Sequence, residues 1–91
     1  MWIEAISVRT SQAEQCKKLL HDMSALPDDS DAPRPVWCAG YQNLEVENEI
    51  SIHLGREEAS LSPAKTACGL RIARIFAQYG LVHHTIWQRT H

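Results

Sequence analysis

Residues Ser62 to Trp87, SPAKTACGLRIARIFAQYGLVHHTIW, read as one helix delivered into one strand. Ser62 offers a hydroxyl that accepts from an orphan amide of a first turn, and Pro63 follows at the first helical position, where a missing N–H costs nothing. Gly80 is the stop signal, placed where a chain leaving a helix often turns left-handed. Between these ends Cys68, Ile72, Ile75 and Tyr79 recur at helical spacing with Ala73 and Phe76 beside them, while Arg71, Arg74 and Gln78 share the opposite side. The spacing predicts a helix with one dry and one wet face. Gly69 falls on the border of the apolar stripe, either to let a strand come close or as a tolerated surface glycine.

Working outward, Leu81 to Gln88 alternates as a strand. Val82 and Ile86 point to one face, and Leu81, His83, Thr85 and Trp87 to the other. Trp2 to Val8 is a second strand, rich in Trp, Ile and Val and free of Gly and Pro. Thr10 or Ser11 then offers a capping hydroxyl, and Glu14 stands three residues past Ser11, as in a capping box. A helix follows to about Ser24, with Ala13, Cys16, Leu19, Leu20 and Met23 as its buried stripe. The run LPDDSDAPRP (26–35) holds three prolines and three aspartates and reads as an exposed loop whose spacing matches no calcium loop. Val36–Gln42 and Glu49–Leu54 are two further strands joined through Asn43–Asn48, and Gly55–Leu61 links them to the helix.

The order strand, helix, strand, strand, helix, strand predicts a single α+β domain over residues 1–91. With right-handed crossovers it is the ferredoxin-like βαββαβ arrangement, a four-stranded antiparallel sheet with two helices on one face. The other face then carries large side chains from every strand: Trp2 or Ile3, Trp37 and Tyr41, His53, and Trp87. A second copy laid against it would bury them, so a homodimer through the sheet face is expected.

Composition narrows the partners. A formal charge of −2 and the lack of a Lys/Arg cluster beyond Lys17-Lys18 and the spaced Arg71 and Arg74 argue against nucleic acid and against an anionic membrane. No segment approaches the ~18–20 apolar residues of a membrane helix, and MWIEAISVRT lacks the flank and run of a signal peptide, so a cytoplasmic location is expected. Cys16, Cys38 and Cys68 are odd in number and widely spaced, which suits reduced thiols.

The element order, the length and the stretch YQNLEVENEISIHLGREEA (41–59) resemble the dimeric α+β barrel superfamily, and within it the antibiotic-biosynthesis-monooxygenase-like small proteins. In that group an aromatic-bearing hairpin, an Asn-containing turn and a strand ending in an acidic segment precede the second helix. The resemblance implies the fold and the dimer. It implies no catalytic residue, because the family's Glu and Trp near the end of the third strand are replaced by Ile52, His53, Leu54, Gly55 and Arg56, and the first strand has no Asn.

Two readings of the chemistry follow. In one, a cofactor-independent monooxygenase-like or isomerase-like enzyme works on a small aromatic or quinol-type molecule. His83, His53, Tyr41 and Glu4 would take or return its proton, with Glu4 set to hold the His83 tautomer, and Trp2, Trp37 and Trp87 would contact its ring. In the other, the same aromatic cluster is the packing surface of a non-catalytic dimer that binds a small aromatic ligand or a protein. His83 and His84 are adjacent on a strand and point to opposite faces, and His53 adds only Glu4 or Glu49 as further ligands, so neither a metal nor a cofactor is expected.

Overall fold

A strand that is apolar on both faces belongs inside a sheet, and β1 (Trp2–Thr10) takes partners on both of its edges. The computed structural model of the 91-residue chain describes residues 1–11, 14, 15, 17, 18, 21, 35–57 and 63–91. Beside β1 lie β3 (Glu49–Arg56) and β4 (Gly80–Gln88), and β2 (Trp37–Gln42) adds the outer edge, giving an antiparallel order β2-β3-β1-β4. Helix α1 (Ala67–Phe76) packs on β1 and β4. The α+β class and the four-stranded antiparallel sheet are as the sequence implies. Of the helix expected over Ser11–Ser24, Glu14, Gln15, Lys17, Lys18 and His21 are described; they are helical and exposed. Cys16, the rest of that stripe, the acidic loop up to Arg34, and Ser62 lie outside the described residues.

The register decides which residues meet. Across β3, β1 and β4 the pairs Leu54–Glu4–Ile86, Ile52–Ile6–His84 and Ile50–Val8–Val82 stand on the α1 side. There Ile6, Val8, Ile50, Ile52 and Leu54 meet Ile72 and Phe76 in one buried cluster, edged by Cys68, Ala73, Ile75, Tyr79 and Val82. Burying each such large side chain contributes roughly 1.5–3 kcal/mol. The helical spacing of Ile72 and Phe76 is what brings both down on the sheet.

The ends of α1 differ from the expectation. The cap is Thr66, in extended backbone at φ −88° and ψ 164°, accepting from the Gly69 N–H. Pro63 and Ala64 lie in a bend before it. Thr66 displaces the Ser62–Pro63 start because its hydroxyl is also held by a strand residue, described below. The helix ends at Phe76 and runs out through turns in which the Gln78 N–H meets the Ile75 carbonyl and the Tyr79 N–H the Phe76 carbonyl. Gly80 is not a left-handed stop, since no described residue has positive φ. It opens β4 opposite Thr10, where a Cβ would overlap the Arg9 carbonyl, so close approach is the reason for a glycine. Thr10 is likewise not a cap; it ends β1, and its hydroxyl donates to the Tyr79 carbonyl. β3 continues past Leu54 to Arg56 because β1 supplies a partner as far as Trp2. In the turn, Asn43 Oδ1 accepts from the Glu45 and Val46 amides, and Leu44 points into water.

Candidate functional site

The two faces of the sheet hold two different groups. On the α1 side, β1 carries Glu4 into the interior with no exposed surface. A carboxylate there needs donors, and they converge from three elements. Thr66 gives two, its hydroxyl at 2.6 Å to Oε1 and its amide at 3.0 Å to Oε2. His84 Nε2 lies 2.6 Å from Oε2. Arg56 Nη2 stands 3.7 Å from Oε1 and donates to the Thr66 hydroxyl at 3.1 Å. The Thr66 oxygen thus donates once and accepts twice, from Arg56 and from the Gly69 amide, which uses its full capacity.

Why this local sequence builds such a knot is legible in α1. Its first turn contains no acidic residue to complement the helix dipole, and Glu4 supplies that charge from the strand instead. Gly69 makes the room: a Cβ at that position would overlap the Glu4 carboxylate. Gly69 is buried, so of its two readings the close approach of a strand is the one realised. With Glu4 as acceptor, His84 Nε2 is the ring nitrogen placed to donate, and Nδ1 is the second nitrogen. The neighbouring Trp2 indole is also fully buried, and its Nε1 has no hydrogen-bond partner among the described residues.

The opposite face has three rows. Trp37, Gly55, Ile3 and Trp87 form the first; Ala39, His53, Ala5 and Thr85 the second; Tyr41, Ser51, Ser7 and His83 the third. Trp37 lies over Gly55, where a Cβ would strike its indole. Tyr41 and His53 stack at 4.5 Å with a 41° tilt, and burial pushes the His53 imidazole below its ordinary value. Trp87 donates from Nε1 to the Thr85 hydroxyl at 2.8 Å. Beyond the third row, Arg9 and Glu49 pair with each other at 3.6 Å. Yet Tyr41 is 49 % exposed, Trp87 63 % and Leu81 65 %. At the Trp87 corner a cleft of about 330 Å3 is lined by Met1, Ile3, Trp87, Gln88 and Arg89.

The sequence-predicted residues are therefore divided. Tyr41, His53, His83, Trp37 and Trp87 share the open face, whereas Glu4 and Trp2 lie under α1. Of the alternatives Trp2 and Ile3, the register puts Ile3 on the open side. The expected Glu4–His83 contact is replaced by Glu4–His84, because Glu4 pairs with Ile86 and so shares a face with the even-numbered residues of β4. Arg56, Thr66 and His84 were missed as a group. The alternation that separates His83 from His84 and the glycine inside α1 were the signals that point to them. Among the described residues no group of three or more His, Cys, Asp or Glu is placed to hold a metal ion, and no helix is long and apolar enough to cross a membrane. No family model, curated protein or solved structure matches this chain.

Proposed function

We propose that the chain works as a homodimer of the dimeric α+β barrel type, in which the open sheet face meets the same face of a second copy and the pair binds a small aromatic molecule. The observation that carries this reading is the open face itself: Trp37, Tyr41 and Trp87 share it, Tyr41 and Trp87 are largely exposed, and Arg9 and Glu49 at one corner are already paired. Its size is also adequate. Four strands at ~4.8 Å and about eight residues at ~3.3 Å give roughly 500 Å2 in projection, and side-chain relief raises the accessible area toward the ~800 Å2 per partner of a standard interface. The strand order and the position of α1 support the ferredoxin-like arrangement, which adds a helix where Glu14, Gln15, Lys17, Lys18 and His21 are helical. Gel filtration with light scattering at micromolar concentration tests the pairing. A dimer is expected, with Tyr41→Lys/Leu81→Lys reduced to a folded monomer; a monomeric parent chain overturns the reading.

The Glu4–His84 pair favours a second reading, a cofactor-independent monooxygenase-like or isomerase-like enzyme acting on a small aromatic or quinol-type molecule. A carboxylate on Nε2 leaves His84 Nδ1 as the proton acceptor, the role that such chemistry asks of a protein side chain. His84→Gln should then stop turnover of a quinol probe, and His83→Gln should not.

A further inference from the structure

We infer that the cleft at the Trp87 corner is a seat for a small planar organic anion, an aromatic carboxylate whose ring lies on the Trp87 indole and whose charge faces Arg89. The inference deepens the ligand-binding part of the reading above; the walls of the cleft belong to one copy, so it does not depend on the pairing. Its volume of about 330 Å3 is at the lower end of small-molecule sites, which suits one or two fused rings. Met1, Ile3 and Trp87 give it an apolar lining, and Ile3 sits directly opposite Trp87 in the register.

Two features mark it as prepared rather than merely open. The indole is largely exposed yet held, because Nε1 is tied to the Thr85 hydroxyl, so a ring that stacks on it meets an oriented platform. Arg89 is held as well. Its amide donates to the Met1 carbonyl at 3.2 Å, and its Nε donates to a main-chain oxygen of His91 at 2.8 Å, while the terminal guanidinium nitrogens face the ligand in the proposed seat. None of the five described lining residues has an acidic side chain. The ion pair Arg9–Glu49 belongs to the far end of the sheet. A planar carboxylate satisfies both features together, the ring by stacking and the charge by a forked hydrogen bond.

The test is an NMR titration of the 15N-labelled chain with indole-3-carboxylate and, separately, with neutral indole, following the three tryptophan N–H signals. Saturable binding at one ligand per chain is expected, with the Trp87 signal, assigned through Trp87→Phe, moving most. Arg89→Gln should weaken indole-3-carboxylate about tenfold or more, the loss of one charge-assisted hydrogen bond, and leave indole unchanged. Trp87→Ala should weaken both ligands. No saturation, shifts centred on Trp37, or an equal effect of Arg89→Gln on both ligands would overturn the inference. Gel filtration of the same samples separates it from the pairing. A dimer that does not bind overturns the seat alone, and a monomer that binds supports it although the pairing fails.

Discussion

His83 and His84 are neighbours in the chain and face opposite worlds. His84 is locked against a buried carboxylate beneath α1, and His83 looks out from an aromatic surface that no described residue covers. The same contrast runs through the whole sheet. One face answers each of its buried charges within the chain, with Glu4, Arg56, Thr66 and His84 drawn from four elements. The other spends its large apolar rings where they remain wet. Glu4 is met by donors from three elements in the interior, whereas Trp87, Tyr41 and Leu81 stay exposed on the second face, the contrast on which the proposed pairing rests.

The largest effect should come from breaking the buried group. Glu4→Ala removes a charged neighbour of the buried Arg56, the acceptor at the start of α1 and the partner of His84. A loss of about 3–5 kcal/mol is expected in urea unfolding. His83→Ala, on the open face, should stay within about 0.5 kcal/mol. Equal losses at the two sites would erase the distinction between the faces.

A sharper version uses Gly69. In an ordinary helix interior, Gly→Ala stabilises by about 1 kcal/mol. Here the new methyl group would overlap the Glu4 carboxylate, so Gly69→Ala should instead cost about 1–3 kcal/mol. In a Glu4→Ala background the obstacle is gone, and the same substitution should become stabilising. That reversal of sign is a coupling which only direct contact produces, and a double-mutant cycle by urea unfolding measures it.

Much of this was legible in the sequence, and the exceptions share one cause. Period-two alternation revealed the four strands and the separation of Val82 and Ile86 from Leu81, His83, Thr85 and Trp87. The apolar stripe revealed the body of α1. Its start was not legible, because Ser62-Pro63 is the stronger local signal, and Thr66 wins through a carboxylate that is 62 residues away. The partner of Glu4 was hidden for the same reason. Whether it meets His83 or His84 turns on a register of one residue, which pairing along all of β1 fixes and no short window of sequence contains. Features decided inside one element were readable, and those decided between elements were not.

The smallest expected effect concerns pH and the open face. Burial beside Tyr41 lowers the His53 pKa below its ordinary 6.5, so the folded chain holds this imidazole neutral more firmly than the unfolded chain does. As pH falls through 6.5 the unfolded chain takes the proton first, which makes stability fall with pH from that point until the folded form is protonated as well. Among the described residues, the charged and titratable groups on the same face include Arg9 of β1, Tyr41 of β2, Glu49 of β3, His83 of β4 and, at the Trp87 corner, Arg89, and Arg9 and Glu49 already offset each other. Urea unfolding at pH 7.5, 6.5 and 5.5 should therefore show a small loss toward acid that His53→Gln reduces, since glutamine keeps the polarity and cannot take the charge. If a second copy covers the face, each imidazole is more deeply desolvated and the loss should grow with protein concentration, as dissociation becomes part of unfolding. A pH dependence that is the same at every concentration would count against the covered face.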